Sequence, residues 1–262
     1  REIKHQYENA IAHIPLNESE GVTQIGDVNL YRYDNPFNGL AVPNNGVGGS
    51  NLTTVEGLAG NAFLCDGGTN DSYLVWNDDV YTDITDSFSL VAHVTCDSIA
   101  ATRYILSKRG EFEVYIDTSG NINTTLHYDD SGNSVNLKST TLVNTDGETP
   151  TNIILTFDAS LATNNVKLFI NGKLEDQSGL KTASGSLNNW KIGANINDDS
   201  SSKLTIGIQG HATGGTPTTY DYSGTIEEVV LYNIVLYPVV PQTGTLNIYK
   251  PIRELSISNI AS

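Results

Sequence analysis

From residue 88 to residue 178 the chain alternates apolar and polar positions in short runs, each closed by a cluster of turn-forming residues. Phe88, Leu90, Ala92 and Val94 share one parity in "SFSLVAHVTC", Phe112, Val114 and Ile116 in "GEFEVYIDTSGN", and Val166, Leu168 and Ile170 in "VKLFINGKLE". A period of two is that of a half-buried strand. The punctuation, "CDGGTND", "DTSGN", "YDDSGNS", "NTDGETP" and "ATGGTPTTYDYSG", recurs about every ten residues, the spacing of antiparallel sheets. The Asn171-Gly172 pair predicts a type I′ turn and a tight hairpin. "TLHYDDSGNSVNL" reads as a second hairpin, and "TNIILTFD", "NNWKIGAN", "KLTIGIQG" and "TIEEVVLYNIVLY" as further strands. No stretch supports a helix. The expectation is an all-β protein, an antiparallel two-sheet β-sandwich of the jelly-roll kind.

The two ends read differently. "NAIAHIPLNE" is a plausible first strand, whereas residues 17–60 are rich in Asn and Gly with weak alternation and predict long loops over a sheet edge. Beyond Tyr237 the prolines of "PVVPQTG" break the pattern before "TLNIYKPIRELSISNIAS". This divides the chain into a domain over 10–238, an N-terminal extension over 1–9 and a C-terminal extension over 239–262. The latter is expected either to pack on its own domain or to add a strand to a neighbour's sheet edge.

Composition narrows the partners. With 30 Asp+Glu against 14 Lys+Arg the formal charge is −16, which repels a nucleic-acid backbone. No apolar run reaches the roughly 18 residues of a membrane span, so no membrane insertion is expected. The chain begins at Arg1 and contains no Met, the expectation being a mature or excised product. Cys96 shares the inward parity of its strand, so Cys65 and Cys96 read as two buried free thiols or, in an extracellular setting, as one disulfide. Sequons at Asn17, Asn51, Asn70 and Asn123 permit glycosylation without arguing for it.

Alternation in "GEFEVYID" puts Glu111, Glu113, Tyr115 and Asp117 on one face. Glycoside hydrolysis needs two carboxyl groups flanking one bond, about 5 to 5.5 Å apart in retaining enzymes. Here Glu111 sits at the strand entrance, Tyr115 interrupts the row and Asp117 belongs to a turn, so a single mid-strand carboxylate remains. His5, His13, His93, His127 and His211 form no metal-binding pair, and no nucleophile elbow or phosphate loop occurs. The expectation is a non-enzyme. The same face offers a glycan-binding patch: Tyr115 as an aromatic platform, with Glu113, Asn123, Thr125 and His127 as hydrogen-bonding groups.

Taken in order, "IAHIPLNESEG", "GNAFLCDGGTNDSYLVW", "DSFSLVAHVTC", "ILSKRGEFEVYIDTSGNI", "NIILTFDASLATNNVKLFINGKL", "LNNWKIGAN" and "YSGTIEEVVLYNIVLY" resemble the landmarks of laminin G-like jelly-roll domains of the concanavalin A-like lectin and glucanase superfamily. The resemblance covers roughly residues 10 to 238. It implies a non-catalytic recognition module, carbohydrate-binding or adhesive, that meets a glycan or cell-surface ligand at an extracellular, cell-surface or virion surface. The alternative is a structural subunit of a filament, sheath or virion that self-associates through its C-terminal extension. The resemblance also implies a structural calcium ion held by Asp27 and Glu227, with the clusters Asp78, Asp79, Asp83, Asp86 and Asp198, Asp199 as other places for it.

Overall fold

The structure is a computed structural model of the 262-residue chain. It describes backbone and side chains at residues 55–57, 62–68, 73–74, 87–127, 134–161, 163–178, 202–210 and 220–238, and the backbone alone at 10–14, 30–32, 35–37, 42–43, 53–54, 61, 75–76 and 250–251. All described regular structure is strand. In chain order the first part comprises β1 (Ala10–Ile14), β2 (Leu30–Arg32), β3 (Asn35–Phe37), β4 (Val42–Pro43), β5 (Thr53–Glu56), β6 (Asn61–Asp66) and β7 (Leu74–Trp76). The central part comprises β8 (Phe88–Val94), β9 (Arg103–Lys108), β10 (Phe112–Ile116), β11 (Asn121–His127), β12 (Ser134–Leu142) and β13 (Thr151–Phe157). The last part comprises β14 (Val166–Ile170), β15 (Lys173–Ser178), β16 (Leu204–Ile206), β17 (Ser223–Tyr232), β18 (Leu236–Tyr237) and β19 (Lys250–Pro251).

Two antiparallel sheets form the sandwich. The first runs β15-β14-β13-β8-β17-β6-β5 with β1 on the far half of β17, and the second runs β12-β11-β10-β9-β16-β7-β4. Both hairpins expected from the sequence are present, β14–β15 and β11–β12. Asn171 and Gly172 both have positive φ, 51° and 80°, as a type I′ turn requires. The first strand is also where alternation placed it, although residues 30–56 supply short strands rather than loops alone. β4 and β5 pair with β7 and β6 at the sheet ends. "NNWKIGAN" lies outside the described residues.

The core lies between the sheets. Phe88, Leu90, Ala92 and Val94 from one layer meet Phe112, Val114, Ile116, Ile122 and Leu126 from the other, all buried. Cys65 and Cys96 are buried free thiols, and burial raises the pKa of both, which leaves them inert as nucleophiles.

The outer faces of the two sheets are treated differently. On the first, Val91, Ile154, Phe169 and Val230 form a second apolar cluster, covered by the chain's own Ile234, Leu236 and Tyr237. Ser89 secures that cover: its Oγ donates to the Ile234 carbonyl at 2.8 Å and accepts from the Leu236 N–H at 2.7 Å. Lys250–Pro251 then pairs with Leu236–Tyr237 in the same chain, so at this point the C-terminal segment packs on its own domain. The outer face of the second sheet carries polar and aromatic side chains instead.

Where the sandwich opens, the terminal strands β12 and β15 are clasped by carboxylates. Glu175 Oε2 accepts from the Thr140 and Thr141 N–H groups at 2.9 and 2.8 Å, and its Oε1 from Lys173 Nζ and Thr141 Oγ1, each at 2.8 Å. Burial of this side chain raises its pKa, but the hydrogen bonds from Lys173, Thr140 and Thr141 outweigh that and hold it well below the usual carboxylate range. A depressed carboxylate stabilises the fold above its ordinary pKa and loses that contribution as pH falls below it. We expect Glu175→Gln to lower stability by about 2 kcal/mol at neutral pH. The gap between wild type and variant should close as pH drops below about 4, which denaturant titrations at several pH values would check.

Candidate functional site

The site is built on β9, β10 and β11, whose outward residues line up across the second sheet. Glu113 lies between Ser107 on β9 and Thr125 on β11, and Tyr115 between Tyr104 and Asn123. Four of the five residues expected to form the patch are therefore direct cross-strand neighbours, where side chains interact. His127 follows Thr125 on the same face, its N–H donating to the Glu111 carbonyl at 2.8 Å.

Glu113 is only 8% exposed. Its Oε1 accepts from Ser107 Oγ at 3.1 Å and from Gln209 Nε2 at 3.4 Å. Gln209 also donates to Tyr104 Oη at 2.8 Å, while Ser107 Oγ accepts from the Gly210 N–H at 3.0 Å. One carboxylate thus ties the sheet to the loop that follows β16. His127 is half-buried, and burial lowers its pKa more than the charge of Glu113 raises it, with Arg109 adding to the fall. This favours its neutral form.

Beside this group stand three tyrosines. Tyr104 and Tyr115 stack with ring centroids 4.9 Å apart and planes at 23°, and Tyr220 leans on Tyr104 at 5.9 Å. Tyr104 is buried between them at 7% exposure, whereas Tyr220 is 47% exposed. Tyr220 also has φ 64°, a left-handed conformation that costs a non-glycine residue about 1–2 kcal/mol. It is held there by the Tyr104 N–H, which donates to the Tyr220 carbonyl at 3.2 Å. Such strain persists where the surroundings enforce it, often at ligand clamps.

The remaining expected residues are partly committed. Thr125 Oγ1 donates to Asn136 Oδ1 at 2.7 Å. The Asn123 amide nitrogen donates to Asp117 Oδ2 at 3.1 Å and to the Asn121 carbonyl at 3.0 Å, so Asn123 braces a turn. Asp117 receives Lys138 Nζ at 2.7 Å. Burial raises the Asp117 pKa, but Lys138, Asn123 and two backbone N–H groups together lower it to about 2.

One reading of this face is corrected. Glu111 does not join the outward row: it lies in the turn before β10, fully buried, with its Oε1 2.7 Å from Lys108 Nζ. The turn takes in residues 109–111, so the strand begins at Phe112, one residue later than the sequence suggests. Glu113 and Asp117 are then the acidic residues left on the face, and Asp117 is an ion-paired turn residue.

Tyr104, Gln209 and Tyr220 were not foreseen. By parity with Ser107, Tyr104 should point inward, but a bulge skips Ile105, which joins Leu106 in the core and turns Tyr104 outward. Gln209 and Tyr220 flank a loop of which 211–219 lie outside the described residues. The expected calcium ligands are divided: Asp27 lies outside the described residues, and Glu227 is buried, with its Oε1 against Gly57. Among the described residues no group of three or more His, Cys, Asp or Glu gathers to hold a metal ion.

The molecule is thus a two-sheet jelly roll with one outer face covered by its own chain and the other bearing an aromatic and polar patch. The chain belongs to the concanavalin A-like lectin/glucanases superfamily, whose Laminin_G_3 family matches residues 66–238. No curated protein matches it in sequence. Among solved structures it is similar to the binding domain of Paraclostridial Mosquitocidal Protein 1, at 13% identity and TM-score 0.58, over 87% of this chain and 49% of that one. It is also similar to Domain 4 of AbnA, a GH43 extracellular arabinanase from Geobacillus stearothermophilus solved with arabinotriose, at 14% identity and TM-score 0.53, over 86% of this chain and 92% of that one. The Ruminococcus gnavus IT-sialidase CBM40 bound to alpha2,6 sialyllactose matches at 20% identity and TM-score 0.42, over 58% and 79% of the two chains.

Proposed function

We propose that this chain is a non-catalytic, extracellular or cell-surface recognition module that binds carbohydrate on the outer face of its second sheet. The observation that carries the reading is the tyrosine group with Tyr220 held exposed at its rim, next to the Glu113–Gln209 pair. An aromatic face covers the apolar C–H side of a sugar ring while neighbouring polar groups take its hydroxyls. Residues 10–238 form the module in this proposal. Arabinotriose, held by the arabinanase domain, is a ligand of the same class. The reading assigns no hydrolytic pair, since Glu111 is bound internally to Lys108.

The test is a glycan array followed by titration calorimetry on wild type and Tyr220→Asn. Asparagine tolerates the left-handed conformation, so the variant should melt within about 1 kcal/mol of wild type. Oligosaccharide affinity should fall at least about tenfold, which is ~1.4 kcal/mol. Absence of any glycan ligand, or an affinity indifferent to the substitution, would overturn the reading.

A further inference from the structure

We propose that the ligand of this face is an uncharged saccharide whose hydroxyl groups donate to Glu113, and that the site selects against sialylated and uronic-acid glycans. This rests on the carbohydrate reading above and adds the chemical class.

The argument begins with the charges around the patch. Lys138 is spent on Asp117 at 2.7 Å, and Lys108 on Glu111 at 2.7 Å in the interior. Arg103 donates to the Gly67 and Asp221 carbonyls at 2.9 Å each, with the Asp221 carboxylate 3.9 Å away. Glu113 is different, because its partners among the described residues are neutral: the Ser107 hydroxyl and the Gln209 amide. Arg109 is exposed at the β9–β10 turn. Its charge is felt at Tyr104 and His127, but no ion pair joins it to Glu113. His127, whose neutral form is favoured by its burial, is a poor source of countercharge.

An ionised carboxylate accepts hydrogen bonds and donates none. Both described bonds fall on Oε1, so among the described residues Oε2 remains to accept from a ligand. Sugar hydroxyls are donors that fit this need, and their bonds to a charged acceptor are about twice as strong as neutral ones. A ligand carboxylate meets the opposite situation: it cannot donate, and it is repelled at short range by the buried Glu113 carboxylate. The formal charge of −16 adds repulsion at long range.

The experiment compares neutral and acidic oligosaccharides by calorimetry at pH 7.5 on the full chain. Arabinotriose, lactose and xylotriose form the neutral set, with sialyllactose and trigalacturonate as the acidic one. We expect at least one neutral ligand to bind, and no acidic ligand to come within about tenfold of it. Glu113→Gln, with folding checked by its melting curve, should weaken the neutral ligand at least about tenfold and narrow the gap to the acidic set. A preference for acidic glycans, or unchanged neutral affinity in Glu113→Gln, would overturn this inference while leaving the carbohydrate reading standing. Failure of every glycan to bind wild type would overturn both.

Discussion

Substituting Gly224 with alanine should cost about 4 kcal/mol or more and leave little folded protein at physiological temperature, placing it among the exceptional single-site effects. Gly224 opens β17 with φ 134°, and a Cβ there would lie 2.1 Å from the Thr95 carbonyl oxygen and 2.9 Å from Cys96 Cα. Both are backbone atoms, so no side-chain rotation relieves the overlap. Nor can the Thr95 strand withdraw. The Thr95 N–H donates to the Thr225 carbonyl at 3.0 Å, the Asp97 N–H to Ser223 at 2.9 Å, and the buried Tyr222 hydroxyl to the Thr95 carbonyl at 2.7 Å. Gly224 lies four residues beyond Tyr220, at the entry to β17. Gly68, with nothing within 4 Å of its Cβ position, is the control. Gly68→Ala should unfold like wild type in denaturant, and a similar midpoint for Gly224→Ala would refute the argument.

Glu111→Ala should cost about 3–5 kcal/mol, because it removes one partner of a fully buried ion pair. Both side chains are fully buried and meet at 2.7 Å, and the pair spans the turn that joins β9 to β10. The cost comes from breaking the buried pair rather than from the pair's net value. The double variant Lys108→Met/Glu111→Leu should therefore recover most of the loss. Urea titration of the three proteins checks this, and a double variant as unstable as Glu111→Ala would show that packing or further polar contacts carry the turn.

These two sites mark how far the chain could be read before its structure. Hairpins were legible because Asn171-Gly172 states its turn chemistry locally, and the core faces of β8, β10 and β14 because strict alternation has one solution. Glu113, Tyr115, Asn123 and Thr125 were brought onto one face for the same reason. Alternation fails where the backbone adds a residue or ends a strand: the bulge at Ile105 reverses Tyr104, and the turn before β10 withdraws Glu111. Gln209 and Tyr220 reach the face through long-range loop geometry, more than 90 residues from their partners Tyr104 and Glu113. No local pattern encodes that. Asn123 had the correct face, but Asp117, six positions away, claims its amide nitrogen.

The carboxylate clasp between β12 and β15 bears on how copies behave when crowded. Each strand is the last in its sheet, and an exposed last strand normally presents N–H groups that template pairing with another chain. On β12 those of Thr140 and Thr141 already donate to Glu175, and that of Lys138 to Asp176 at 2.9 Å. Acidic side chains occupy the donors a stranger's backbone would need. Copies at high local density then meet without zipping their β12 edges into continuous sheet.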